Sequence, residues 1–161
     1  MFASLFIPAG ELGLITGLFK SLRPKQWTKN GAIFVALIFD VKLFQPEPFI
    51  KTLLGFILLC FISGTIYLIN DLVDIEKDRQ HPTKKNRPIP SGQVPVNVAI
   101  ITAILLPALC LPLSFWLDFY FGVILTGYLL LQITYSFILK NIVIVDVLTL
   151  AAGFVLRVAG G

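Results

Sequence analysis

Charge is absent from three long stretches of the chain: residues 52–69, 88–117 and 119–139. An α-helix needs about 20 mostly apolar residues to cross a bilayer, and each stretch meets or approaches that length. Two weaker spans flank them. Residues 27–44 are long enough if Lys29, Asp40 and Lys42 lie near the interfaces and snorkel. Residues 141–161 are apolar except for Asp146 and Arg157. The pattern therefore predicts five spans, at about 27–44, 52–69, 95–117, 119–139 and 141–161. Strands would leave open edges in lipid, which are not tolerated. The expected fold class is all-α, a polytopic transmembrane helical bundle. Residues 1–19 are apolar apart from Glu11 and are broken by Pro8 and Gly10. They lack the basic start and small-residue cleavage site of a signal peptide, and read as an interfacial segment leading into the first span. The apolar pattern runs into Gly160-Gly161 without a polar tail, so the five helices read as the front part of a larger bundle.

Composition supports this reading. Of the 161 residues, 57% are hydrophobic and only 14% charged, where a soluble domain carries about a quarter charged. A soluble globular enzyme, a nucleic-acid-binding domain and a disordered chain are excluded on these grounds. The net charge of +4 is read by position, because Lys and Arg collect on the cytoplasmic side. Lys20, Arg23, Lys25 and Lys29 precede the first span; Lys77, Arg79, Lys84, Lys85 and Arg87 follow the second; Lys140 follows the fourth. The opposite side holds Lys42 and Lys51. This bias predicts that the N-terminus and the 70–92 loop are cytoplasmic, in a plasma (inner) membrane. Cys60 and Cys110 lie in apolar runs with no CxxC, as buried thiols do.

The 70–92 loop carries the candidate chemistry. It holds four of the nine acids beside five basic residues. Asp71, Asp74 and Asp78 are spaced i, i+3 and i+7, which places them on one face of a helix. Asn70 flanks that face and Glu76 points away from it. The second span is expected to continue as a helix through Asp78. Carboxylates on one face at a helix C-terminus repel one another and oppose the macrodipole, so a cation should offset them. Mg²⁺ suits the set, because it takes hard oxygen ligands and is usually held by one or two carboxylates plus substrate phosphates. The following basic residues can take the remaining phosphate oxygens. A solvated loop obeying the positive-inside rule would explain the bases but not the acids on one face.

The sequence Asn70-Asp71-x-x-Asp74-x-x-x-Asp78, followed by Arg87-Pro88-Ile89-x-Ser91-Gly92, closely resembles the first aspartate-rich motif of the UbiA-type intramembrane prenyltransferase superfamily. Its members are bundles of transmembrane helices around a central cavity, with a second aspartate-rich motif in the later half. The resemblance implies that this chain covers roughly the first half of such a bundle. Asp78-Arg79-x-His81-Pro82-x-Lys84, the upstream Arg23-Pro24-Lys25-Gln26-Trp27-x-Lys29-Asn30, and Asp146 followed by Gly153-Phe154-Val155-Leu156-Arg157-x-Ala159-Gly160 look like the phosphoribosyltransferase branch. Pro90 departs from that branch, where Ala is usual, but lies outside the acidic face. What the resemblance implies is transfer of a phosphoribosyl group from phosphoribosyl pyrophosphate, a water-soluble diphosphate donor, to a polyprenyl phosphate lipid such as decaprenyl phosphate. Mg²⁺ on Asp71, Asp74 and Asp78 would assist pyrophosphate departure. Two alternatives stand beside it: a UbiA-type enzyme prenylating an aromatic acceptor such as 4-hydroxybenzoate, and a divalent-cation-binding transporter or flippase fragment. The clustering of acids in one loop, rather than along a path through the bundle, favours an enzyme. This chain by itself is expected to turn over little, lacking the second motif or an oligomeric partner.

Individual residues carry the following expectations. Asn70 orients a carboxylate or binds the metal. Arg79, Lys84 and Arg87 bind phosphate, whereas Lys77 and Lys85 are plain inside-positive charges. His81, before Pro82, marks a turn, because the residue before proline avoids the helical region. Arg23, Lys25, Trp27 and Lys29 read as an interfacial anchor, with Lys25 or Lys29 as the functional alternative facing lipid or donor phosphate. Asp146 and Arg157 return to nearly one face, about 16 Å apart by helix rise. Charges within a span usually face the bundle interior and are functional, so both are candidate substrate-binding residues; interfacial placement is the alternative for Asp146, and Arg157 is the stronger candidate for a buried partner in a later half. Asp40 and Asp118 should be solvated at the outer interface. Gly122 and Gly127 should allow close helix approach.

Overall fold

A computed structural model describes residues 9–137, 151–153 and 155–160. The described elements are α-helical or 3₁₀: α1 (Ala9–Ser21), a 3₁₀ stretch (Pro24–Ile33), α2 (Phe34–Phe39), α3 (Pro46–Val73), α4 (Ile75–Gln80), a 3₁₀ turn (Lys84–Asn86), α5 (Val96–Leu117) and α6 (Phe119–Phe137). Residues 151–153 and 155–159 are also helical. Among the described residues, α3, α5 and α6 are long and apolar enough to cross a membrane. They match the three charge-free stretches.

Helix α3 starts with Pro46 at its first turn, where a missing N–H costs nothing. Its 28 residues rise about 42 Å, more than the roughly 30 Å hydrocarbon thickness. The excess carries Asn70 and Asp71 beyond the apolar run. Helix α5 keeps Pro107 and Pro112 in its interior. Each deletes a backbone bond, which membrane helices tolerate because neighbours re-satisfy the freed carbonyls. Asp118 separates α5 from α6, and its Oδ1 accepts the Phe121 N–H at 2.9 Å. The residue expected to be simply solvated is thus exposed but also an N-cap.

Residues 27–44 do not form one continuous α-helix. Their first part is 3₁₀, α2 has six residues, and the chain then turns at Val41 with φ 56°. Runs of 3₁₀ longer than three or four residues are uncommon, so this one needs tertiary anchors. Asn30 supplies one: its buried amide donates to Ser63 Oγ at 2.9 Å and Cys60 Sγ at 3.4 Å. Trp27 supplies another, donating to the Leu22 carbonyl at 3.1 Å. Residues 138–150, which end the fourth expected span and begin the fifth with Asp146 among them, lie outside the described residues, as do Phe154 and Gly161.

One core joins α3, α5 and α6 through Leu59, Ile62, Ile66, Cys110, Leu125 and Leu129. A second, near the 70–92 end, joins Leu22, Leu68, Ile89, Val94 and Ala99. Both cysteines are free and buried. Exposed Ile104, Leu109 and Trp116 on α5 form the kind of surface that lipid covers. Gly122 does permit close approach, since a Cβ there would lie 2.5 Å from Phe115, whereas Gly127 faces open space within 4 Å. At Gly64 a Cβ would sit 3.1 Å from Leu22. That contact lets the end of α1 lie directly on α3, and so sets the position of Arg23.

Candidate functional site

The site is built where α3 ends. The helix breaks at Asp74 (φ −97°, ψ 12°), whose N–H still bonds to the Asn70 carbonyl at 3.0 Å. Helix α4 follows at once, and the Asp78 N–H bonds back to the Asp74 carbonyl at 2.8 Å. The expected helix through Asp78 is thus present with a joint in it. The joint preserves the spacing: Asp71 and Asp78 are both buried, at 2% and 1% exposure. Burial of this depth requires counter-charges.

Three cations supply them. Arg87 Nη1 donates to Asp78 Oδ2 at 2.6 Å and to Asp71 Oδ1 at 3.1 Å, so one guanidinium bridges the two acids. Arg23 Nη2 donates to the same Asp71 oxygen. Lys84 Nζ stands 3.7 Å from Asp78 Oδ1. Each of the two buried carboxylates is thus held by two cations.

Each cation has a local reason to be there. Arg87 opens a tight turn: the Ser91 N–H bonds to its carbonyl at 3.0 Å, and the Val94 N–H bonds to the Pro88 carbonyl at 2.9 Å. Ile89 and Val94 are fully buried in the second core. Gly92 takes φ 81°, a backbone region that glycine enters freely. The Arg-Pro-Ile-x-Ser-Gly tail thus acts as a clamp that fixes Arg87. Arg23 sits in the left-handed region (φ 51°, ψ 61°) at the corner between α1 and the 3₁₀ stretch. Such a conformation is uncommon for a residue other than glycine. Packing of Leu22 on Gly64, the Trp27 bond and the Asp71 charge hold it in place. Its guanidinium also lies 4.7 Å from the Tyr67 ring centroid.

The remaining expected site residues divide. Lys84 and Arg87, expected on phosphate, contact the carboxylates. Glu76 points away, exposed, and pairs with Arg79 at 2.8 Å. Arg79 also reaches the Pro90 carbonyl at 3.4 Å, so its described contacts lie outside the carboxylate pair. Asp74 stands at the joint, and Asn70 contributes its carbonyl there. Lys25 and Lys29 are exposed on the 3₁₀ stretch, and no described ion pair links them to the site. His81 is exposed and extended (ψ 136°), and its Nδ1 faces the Thr83 N–H at 3.3 Å. That is the turn expected before Pro82. Arg157 has a partner within this chain, donating from Nη2 to the Tyr128 hydroxyl at 2.7 Å.

Arg23 is the residue that sequence reasoning set aside as an interfacial anchor. The Arg-Pro dipeptide signals a corner after α1, but only the packing shows that the corner is over Asp71. Tyr67 and Tyr128 were hidden inside apolar spans. A cavity of about 410 Å³ at the opposite end of α3, lined in part by Asp40, Lys42, Glu47, Lys51 and Asp118, is far from these carboxylates.

Among the described residues, no cluster of three or more acidic, histidine or cysteine side chains forms a ready metal shell. Asp71 and Asp78 nevertheless fit a hard cation. They offer only oxygen, they are held together by one shared positive group, and they sit beside bases suited to phosphate. That is a partial shell of the kind Mg²⁺ completes with substrate phosphates.

The pattern of the UbiA prenyltransferase family matches residues 32–161. The chain is 37% identical over 153 residues to the decaprenyl-phosphate phosphoribosyltransferase of Mycolicibacterium smegmatis, covering 92% of this chain and 48% of that protein. It is 37% identical over 152 residues to the protein of that name from Corynebacterium glutamicum, covering 92% and 46%. It is 33% identical over 153 residues to that from Mycobacterium tuberculosis, covering 92% and 51%. The chain spans about half the length of these curated relatives. The protein belongs to the UbiA prenyltransferase family.

Proposed function

We propose that the complete protein is a multi-pass membrane transferase that moves a phosphoribosyl group from phosphoribosyl pyrophosphate to a polyprenyl phosphate such as decaprenyl phosphate. The observation that carries this reading is the buried Asp71–Arg87–Asp78 bridge, flanked by Arg23 and Lys84, in a chain similar over 92% of its length to relatives of that name. Asp71 and Asp78, with Asp74 at the joint between them, are the residues that would hold Mg²⁺. The ion would neutralise charge on the departing pyrophosphate. Arg87 and Lys84 then exchange their carboxylate contacts for phosphate oxygens, as charge-assisted donors do. Arg23 remains on Asp71 and keeps that carboxylate aimed. The acceptor is itself an anionic phosphate, so its oxygen attacks the anomeric carbon without a strong base. The end of α3 meets a water-soluble donor while the bundle and lipid hold the isoprenoid tail.

The test uses the complete gene product with labelled phosphoribosyl pyrophosphate and polyprenyl phosphate. Label is expected in the lipid fraction, and only with Mg²⁺ present. If the lipid stays unlabelled while 4-hydroxybenzoate becomes prenylated from a prenyl diphosphate, the aromatic-acceptor reading replaces this one.

The orientation that the reaction needs follows from the Lys and Arg distribution, with the N-terminus and the 70–92 loop facing the cytoplasm across the inner membrane. Gln80 and Asp118 are both exposed, at opposite ends of the described helices. A thiol reagent added outside intact cells is expected to label Asp118→Cys and to miss Gln80→Cys. Native Cys60 and Cys110 are buried and should contribute little background. The opposite labelling pattern reverses the topology.

A further inference from the structure

We propose that Arg157 and Tyr128 form a second phosphate-binding subsite, inside the bundle, that takes the phosphate monoester of a substrate rather than the pyrophosphate. The inference rests on the transferase reading and assigns a ligand group to residues outside the aspartate motif.

The first observation is an incompletely satisfied charge. Arg157 gives one N–H to the Tyr128 hydroxyl at 2.7 Å, and its guanidinium carbon lies 5.2 Å from the Tyr128 ring centroid. Both contacts are to a neutral group. Its Nε is buried and finds no acceptor among the described residues, and no described carboxylate pairs with it. A buried donor left unmade is costly, and an ionised side chain within a span ordinarily marks a substrate or ion pathway.

The second observation is what surrounds it. One turn after Tyr128 on α6 stands buried Gln132. A Cβ at Gly153 would lie 2.7 Å from the Gln132 amide nitrogen, so glycine is what permits that amide to approach one turn before Arg157. A hydroxyl, an amide and a guanidinium thus line one patch. A guanidinium offers paired donors that match phosphate oxygens.

The third observation is location. Tyr67 lies one turn before Asp71 on α3, under the Arg23 guanidinium. Its chain neighbour Ile66 packs in one core with Tyr128. The patch therefore packs against the part of α3 that lies just before Asp71. A donor whose pyrophosphate is at Asp71 and Asp78 must place its other groups, and the attacking acceptor, near by. Two sources carry the same dianionic chemistry: the polyprenyl phosphate acceptor and the 5-phosphate of the donor.

The experiment compares wild type, Arg157→Gln and Tyr128→Phe of the complete gene product in lipid nanodiscs. Affinity is measured for polyprenyl phosphate, for the matching polyprenol without phosphate, and for ribose 5-phosphate. Wild type is expected to prefer the phosphorylated lipid over the alcohol by tenfold or more, and Arg157→Gln to bring that ratio close to one while leaving polyprenol binding unchanged. If the donor is the source, Arg157→Gln instead weakens ribose 5-phosphate binding tenfold or more and keeps the lipid ratio. Should Arg157→Gln not fold, Arg157→Lys and Tyr128→Phe carry the test, each with a partial loss of the same ratio. Folded variants that keep both affinities overturn the subsite while leaving the transferase reading in place. A wild type that discriminates neither phosphate overturns the transferase reading and the subsite with it.

Discussion

Asp71→Ala in the complete gene product is expected to lower turnover by on the order of a hundredfold or more. A hundredfold corresponds to about 2.7 kcal/mol of barrier, and charge stabilisation by a held metal ion is worth several kcal/mol. Asp71 is the acid on which both arginines converge, since Arg23 and Arg87 donate to its Oδ1. Removing it deletes a proposed metal ligand, takes away the acid that Arg23 bonds and leaves Arg87 held by Asp78. Asp71→Asn separates the two effects, because it keeps the shape and loses the charge. It should lose most of the turnover while preserving more of the thermal stability than the Ala variant. Glu76→Ala is the control. Its pair with Arg79 is exposed, and such pairs contribute about 0–1 kcal/mol, so activity should stay close to wild type. The measurement is kcat/KM for phosphoribosyl transfer across a Mg²⁺ titration. Near-normal activity in Asp71→Ala, or a loss at Glu76 as large, would mean that the buried pair is not the reaction centre.

Arg87→Met is expected to destabilise the protein by about 3 kcal/mol, the lower end of what removing one partner of a buried ion pair costs. The lower end applies because each carboxylate keeps a second cation, Arg23 for Asp71 and Lys84 for Asp78. The methylene stem of Arg87 is replaced by an apolar chain of similar reach, so the loss reports charge rather than packing. Two further measurements distinguish this origin. Adding Asp78→Asn to Arg87→Met should recover much of the stability, because the orphaned charge is gone. Millimolar Mg²⁺ should stabilise Arg87→Met more than wild type, because the ion substitutes for the missing bridge. Equal Mg²⁺ effects on the two proteins, in thermal unfolding in detergent, would place the metal elsewhere.

The chain's own pattern determined the membrane-length helices α3, α5 and α6. A bilayer admits few charges, so their absence over 18 or more residues is a signal written directly in composition. It also determined that the motif lies at the end of α3, because the acids begin where the apolar run stops. The i, i+3, i+7 spacing put Asp71 and Asp78 on one face, and a single joint at Asp74 did not disturb that relation. The first expected span was less legible. Residues 24–33 become a long 3₁₀ stretch because Asn30 bonds to Ser63 and Cys60, residues 30 or more positions away that no local periodicity encodes.

Only the tertiary structure decided which bases meet which acids. The loop holds five Lys and Arg; the sequence singles out Arg79, Lys84 and Arg87, but their spacing does not say which of them meets which acid. Arg87 wins because Ile89 and Val94 anchor its turn in a core shared with Leu22 and Leu68. Arg79 is drawn off by Glu76, three residues away. Arg23 enters the site from 48 residues upstream because Gly64 lets Leu22 rest on α3 and so turns the following residue over Asp71. Short-range patterns fix helices and their faces, since those depend on backbone geometry alone. A buried charge needs a partner at hydrogen-bond distance, and only the packed fold brings distant segments that close.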